Sequence, residues 1–131
     1  MIGLDTNVII RYAMRDDEKQ TFLADQLIDG LTPESPGYLS QVILAETWWV
    51  LTRRYQLTPA EVSTFIRQLL ESSTLISQNP DLTYIALRAV DKQGADFANA
   101  LAAAISQSDG RSEMMTFDAK AAKRAGMTLL R

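Results

Sequence analysis

The 131-residue chain contains no cysteine and no histidine. Without cysteine there is no disulfide, no thiolate zinc site and no cysteine nucleophile, and without histidine the usual imidazole base is gone. Serine–histidine hydrolases, histidine-dependent ribonucleases and histidine-ligated zinc enzymes are thereby excluded. No stretch approaches the roughly 20 apolar residues of a membrane span, and the amino terminus lacks a basic segment ahead of a signal-peptide core. A cytoplasmic location with no membrane partner is expected. Internal repeats, low-complexity tracts and linkers are missing too, so residues 1–131 are expected to form one domain, with 47% hydrophobic residues to fill its core. The net charge of −3 rules out a general excess of cations, and affinity for nucleic acid would have to rest on local basic patches.

What remains for chemistry is carboxylate. Four short segments set an acid or its amide beside apolar residues: Ile2-Gly3-Leu4-Asp5-Thr6-Asn7, Leu44-Ala45-Glu46, Ala95-Asp96-Phe97-Ala98-Asn99 and Met114-Met115-Thr116-Phe117-Asp118. A carboxylate at the edge of a core is costly to ionise alone, and several together call for a cation. The expectation is a buried cluster holding Mg²⁺ or Mn²⁺, hard ions suited to oxygen ligands and to phosphodiester chemistry. The leading reading is a metal-dependent nuclease.

The periodicity predicts strands alternating with helices. Met1 to Leu4 is a short apolar strand, followed by a helix through Met14 for which Thr6 and Asn7 are candidate caps. Asp16 and Asp17 open a second helix whose Phe22, Leu23, Leu27 and Ile28 recur at helical spacing, ending near Gly30. After a loop with Pro33 and Pro36, Tyr38 and Leu39 suggest a strand. Ser40 then caps a helix carrying Val42, Ile43, Ala45, Glu46, Trp49 and Val50. Thr58 and Pro59 start a helix with Val62, Phe65, Ile66, Leu69 and Leu70 as its buried stripe. Thr74 to Ile76 reads as a strand, Pro80 to Lys92 as a helix broken at Gly94, and Asp96 to Ser106 as an alanine-rich helix. Glu113 to Thr116, Asp118 to Ala125 and Met127 to Leu130 give strand, helix and strand. This order implies an α/β domain with a short parallel sheet flanked by helices. In such sheets the functional crevice lies outside the carboxyl ends of the strands, where Asp5 and Asp118 should both emerge. Asp96 and Asn99, three residues apart, lie about 60° around a helix and about 4.5 Å along it, close enough to serve that crevice with Glu46.

With these motifs in this order, nearly the whole chain resembles a PIN domain, and within that family the VapC toxins of bacterial type II toxin–antitoxin pairs. The resemblance rests on Leu4-Asp5-Thr6-Asn7, Ala45-Glu46, the Gly94-Ala95-Asp96-Phe97-Ala98 segment and Thr116-Phe117-Asp118. It implies a Mg²⁺-dependent endoribonuclease acting on structured RNA, often tRNA, held inactive by a VapB-type antitoxin and forming a homodimer. Its acids fall on Asp5, Glu46, the Asn99 position and Asp118. At Asn99 this chain departs from the family, which usually has aspartate there, while the acid three residues earlier is present as Asp96. One charge pair at about 4 Å is worth on the order of 4 kcal/mol at an effective dielectric of about 20, so an amide at this point implies weaker metal affinity or activity.

The resulting expectation is that Asp5, Glu46, Asp96 and Asp118, with Asn99, hold one or two Mg²⁺ or Mn²⁺ ions while Thr116 orients a water. Lys120, Lys123 and Arg124 share a helix with Asp118 and are candidate RNA contacts. Arg11, Arg15, Arg53 and Arg54 are further cations for the rim. Each residue also has a plainer reading. Asp5, Asp96 and Asp118 suit helix caps, Glu46 could pair with Arg53 or Arg54, the cations could form solvated faces, and Trp48 and Trp49, which could stack on bases, read rather as core or interface. A phosphoacceptor receiver fails for want of an acidic pair near the first strand and a late lysine after a strand. An aspartyl phosphatase would need a second Asp where Asn7 stands. The alternative is a catalytically impaired PIN-like module that binds RNA or an antitoxin without cutting. Apolar residues of the second and fourth helices could leave a groove for an antitoxin helix.

Overall fold

The computed structural model describes residues 1–110 and 113–131. Among these described residues, seven helices, mostly in pairs, separate five short strands: β1 (Ile2–Gly3), α1 (Thr6–Met14), α2 (Glu18–Asp29), β2 (Gly37–Leu39), α3 (Gln41–Arg53), α4 (Pro59–Glu71), β3 (Leu75–Ser77), α5 (Pro80–Gln93), α6 (Phe97–Ser108), β4 (Met115–Thr116), α7 (Ala119–Arg124) and β5 (Thr128–Leu129). Every strand pair is parallel, as helical crossovers require. The α/β architecture of short parallel strands among helices is the one the periodicity implies.

The strands fall into two ladders rather than one. β1, β2 and β3 form a three-stranded sheet in sequence order, with Gly37 opposite both Ile2 and Leu75, whereas β4 pairs with β5 alone. Gly37 keeps the centre tightly packed, since a Cβ there would meet the side-chain methyls of Leu31, Leu75 and Leu4 at 2.9, 3.0 and 3.1 Å. Such contacts force neighbours to shift. Leu4, Ile9, Ile10, Leu39, Leu44, Leu51, Val62, Ile66, Leu87 and Phe97 form the main core between this sheet and α1, α3, α4, α5 and α6. Ala103, Ala121 and Met127, with Met114 against them, make a separate small cluster under the second ladder.

Side chains at helix starts fix where each helix begins. Asp17 accepts from the Gln20 N–H, Ser40 from the Ile43 N–H, and Thr58 with Glu61 closes a reciprocal capping box ahead of Pro59. Asp5 rather than Thr6 or Asn7 caps α1, Thr6 being its first helical residue. At the end of α5, Gly94 takes φ of 69°, a left-handed conformation that costs glycine little, and turns the chain into Ala95 and Asp96. In α2, Phe22 and Leu23 face solvent and only Leu27 and Ile28 turn partly inward, so the helix buries a narrower stripe than its spacing suggests.

Candidate active site

Three of the four candidate carboxylates are helix N-caps. Asp5 Oδ1 accepts from the Thr6 N–H at 2.8 Å, Asp96 Oδ2 from the Asn99 N–H at 3.0 Å, and Asp118 Oδ1 from the N–H groups of Lys120 and Ala121 at 2.8 and 3.3 Å. These bonds satisfy backbone N–H groups left open at the starts of α1, α6 and α7. Capping does not exhaust the oxygens. In Asp5 and Asp118 only Oδ1 is engaged, and Oδ2 has no protein partner among the described residues. Asp96 is held at both oxygens, since the Trp48 indole donates to its Oδ1 at 3.2 Å.

The acids divide between two clefts. The first, of about 310 Å³, is lined by Asp96, Asn99 and Asp118 together with Arg53, Lys120 and Arg124. The second, of about 280 Å³, is lined by Asp5, Glu46, Thr6, Asn7, Trp49 and Arg54. One face of α3 connects them: Glu46, Trp49, Val50 and Arg53 recur at three- and four-residue spacing, with Glu46 and Trp49 in one cleft and Arg53 in the other.

Two expectations are corrected by this arrangement. The carboxylates are not buried: Asp5, Glu46 and Asp118 are exposed and Asp96 is half-buried. Glu46 sits in an apolar stretch of sequence, but helical rotation turns it outward while Leu44, Thr47 and Trp48 turn in. Asp5 and Asp118 line two adjoining clefts rather than one, and the strands that lead into them, β1 and β4, pair in different ladders. Among the described residues no three acidic side chains stand close enough to share one metal ion. The plainer reading of Glu46 is not realised either. None of the ion pairs among the described residues includes it, Arg53 or Arg54, and they involve instead Arg11 with Asp16, Arg15 with Asp25, and Arg67 with Asp91.

The remaining candidates are placed as follows. Thr116 Oγ1 accepts from the Asp118 N–H at 3.0 Å, which fixes the turn before α7 and leaves its hydroxyl proton free to donate. Lys120 and Arg124 line the first cleft and Lys123 does not. Arg53, which the sequence ranks no higher than other basic residues, lines it as well. Thr6 is buried with its hydroxyl oxygen unpartnered, a cost that a water or ligand in the second cleft would remove. In the sequence Thr6 stands out as a candidate cap, and an unsatisfied hydroxyl is visible only in three dimensions.

The donor set of the first cleft fits a hard divalent cation. Two carboxylates and an amide oxygen in the first cleft, with no nitrogen or sulfur ligand, match the one or two carboxylates by which Mg²⁺ is usually held, water filling the rest of its shell.

The sequence profile of the PIN domain matches residues 2–127. The chain belongs to the PIN domain family. Comparison with curated protein sequences returned no match. Among solved structures, this PIN domain is similar to Mycobacterium tuberculosis VapC20, a sarcin-ricin loop cleaving toxin, at 20% identity and a TM-score of 0.47, over 100% of this chain and 99% of that one. Membership rests on the profile match, which spans all four acidic segments and so covers both clefts. No helix among the described residues of this PIN domain is long and apolar enough to cross a membrane.

Proposed function

We propose that this PIN domain is a divalent-metal-dependent endoribonuclease of the VapC toxin type, acting on structured RNA such as tRNA. The observation that carries the reading is the first cleft. There the oxygen donors Asp96, Asn99 and Asp118 stand beside three cations, Arg53, Lys120 and Arg124, so ligands for a metal and contacts for a phosphate share one opening. A bound Mg²⁺ or Mn²⁺ supplies charge stabilisation on the scissile phosphate and makes water more acidic.

The chain's own residues do the rest. Asp96 is held from two sides by Trp48 and the first turn of α6, so its carboxylate is preorganised. Asp118 keeps one oxygen unengaged by its capping bonds. Arg53, Lys120 and Arg124 draw the backbone of the RNA in and fix its register. Thr116 orients a water through its free hydroxyl proton. Asp5 and Glu46 act from the neighbouring cleft, as acceptors toward the same strand. Cleavage by water in this way leaves 5′-phosphate and 3′-hydroxyl ends.

The toxin part of the proposal follows from the resemblance carried by the motifs Leu4-Asp5-Thr6-Asn7 and Thr116-Phe117-Asp118. A VapB-type antitoxin would cover the apolar surface of α2, where Phe22 and Leu23 are exposed beside a cleft lined by Val8, Leu23 and Leu27. A homodimer is part of the same reading. Asn99 and the separation of the acids favour a second one, a PIN-like module that binds RNA or an antitoxin without cutting.

The experiment is cleavage of a total tRNA pool with Mg²⁺, with EDTA, and with Asn99→Asp beside the natural chain. Cuts that EDTA abolishes are the expected result. Cutting by the Asn99→Asp protein alone would mark this chain as an attenuated nuclease. Failure of both proteins, with Mg²⁺ binding and folding intact, would leave the binding module.

A further inference from the structure

Adjacent tryptophans on α3 have opposite fates. Trp48 is 4% exposed and packs at a ring-centroid distance of 5.6 Å from Phe97, whereas Trp49 is 46% exposed and lines the second cleft. The guanidinium of Arg54 lies over the Trp49 ring at 5.6 Å from its centroid. Arg54 has no ion-pair partner among the described residues, and its contact with this ring is of the cation–π kind. The pair is an aromatic plane and a cationic plane open to solvent, beside the carboxylates of Asp5 and Glu46.

The charges of the two clefts differ in sign. The first sets three cations, Arg53, Lys120 and Arg124, against Asp96 and Asp118; the second sets Arg54 alone against Asp5 and Glu46. The first cleft therefore favours a phosphate more than the second does. An uncharged base suits the second, where its faces can stack on an aromatic ring or a guanidinium and its amino groups can donate to carboxylate oxygens. Arg53 and Arg54, successive residues about 100° apart on a helix, serve one cleft each.

We propose that Trp49, with Arg54, is a stacking site for an unpaired nucleobase of the bound RNA, while Arg53 contacts the backbone phosphate in the adjoining cleft. The inference rests on RNA being the ligand and deepens that reading: a base still paired and stacked within a helix cannot reach the ring, so the RNA must present an unpaired nucleotide here. Trp49 is a binding and specificity residue and takes no part in bond breaking.

The test is binding in EDTA, which needs neither metal nor cleavage. A mixed-sequence unpaired RNA of about ten nucleotides, and the same strand annealed to its complement, are titrated while tryptophan emission is followed. Expected results are quenching by the unpaired strand and little by the duplex. Trp49→Ala should weaken binding by roughly 5- to 150-fold and abolish the quenching, with Trp49→Tyr retaining most of the affinity. Arg53→Ala should weaken binding yet leave the quenching at saturation. Unchanged affinity in a folded Trp49→Ala protein overturns the stacking site, as does equal quenching by the duplex or no RNA binding by the natural chain. Binding with quenching but no cleavage when Mg²⁺ is restored upholds the stacking site and overturns the nuclease reading alone.

Discussion

The indole Nε1 of Trp48 donates to Oδ1 of Asp96 at 3.2 Å, joining the buried face of α3 to the first turn of α6. Asp96 Oδ2 accepts from the Asn99 backbone in the same turn, so one carboxylate ties two helices and orients a third residue. Trp48→Phe keeps an aromatic ring against Phe97 and removes the donor. Hydrogen bonds to charged groups contribute about 1.5–3 kcal/mol, and a loss in that range is expected in urea unfolding. Weaker Mn²⁺ binding should accompany it, because Asp96 loses one of its two restraints. A Trp49→Phe control should show neither effect, since the Trp49 ring is half exposed.

Asn99→Asp adds a third carboxylate to a cleft that already holds Asp96 and Asp118. Without metal the three repel one another, and with metal they attract it, so the effect on stability should change with the cation. Each tenfold gain in affinity for a saturating ligand raises stability by about 1.4 kcal/mol. The expected outcome is a melting temperature that responds to millimolar Mg²⁺ more strongly in Asn99→Asp than in the natural chain. Equal responses would mean that position 99 does not face the cation.

Much of the fold was legible because helix starts and stops are written locally. Asp17 and Gly30 bound α2, Ser40 starts α3, and Thr58, Pro59 and Glu61 start α4, each within a residue or two of where spacing put them. The site was legible as a set of residues but not as an arrangement. Glu46 looks buried among Leu44, Ala45 and Trp48, yet its direction depends on which face of α3 the sheet covers. The assignment of Asp5 and Asp118 to separate clefts depends on how the strands pair, and parallel strands of two or three residues carry too little pattern to specify their neighbours. The contrast between Trp48 and Trp49 was invisible for the same reason: adjacent residues differ only by rotation about the helix.

Acid should weaken the packing of α1 against its surroundings. The Tyr55 hydroxyl at 2.6 Å, with Arg11 nearby, holds the Asp16 carboxyl below its usual value, and the Arg15 guanidinium at 2.6 and 2.9 Å does the same for Asp25. A carboxyl that is more acidic in the folded state gives stability that is full above its unfolded pKa and is lost as pH falls through the folded one. The phenol of Tyr55 is pushed up by the same bond, so its contribution is full below the ordinary tyrosine value and is lost as pH rises through the raised one. Urea midpoints measured against pH should therefore fall at both extremes. Tyr55→Phe should flatten both limbs, and Arg15→Gln chiefly the acid limb. The effects should be small, because these carboxylates are at the surface.

Salt dependence separates cations that face the RNA from those that merely share a helix with them. Lys120 and Arg124 line the first cleft whereas Lys123, on the same helix, does not. Each phosphate neutralised on an unpaired strand contributes about 0.7 to the slope of log affinity against log salt concentration. Lys120→Gln and Arg124→Gln should each lower that slope by about this amount and weaken binding to all sequences alike, since a phosphate contact carries no base information. Lys123→Gln should leave the slope unchanged. Trp49→Ala should behave in the opposite way, reducing affinity at every salt concentration without altering the slope, because stacking releases no counterions. A slope that responds to Lys123 as strongly as to Lys120 would mean that the helix attracts RNA as a diffuse basic face, and the first cleft would lose its claim to the phosphate.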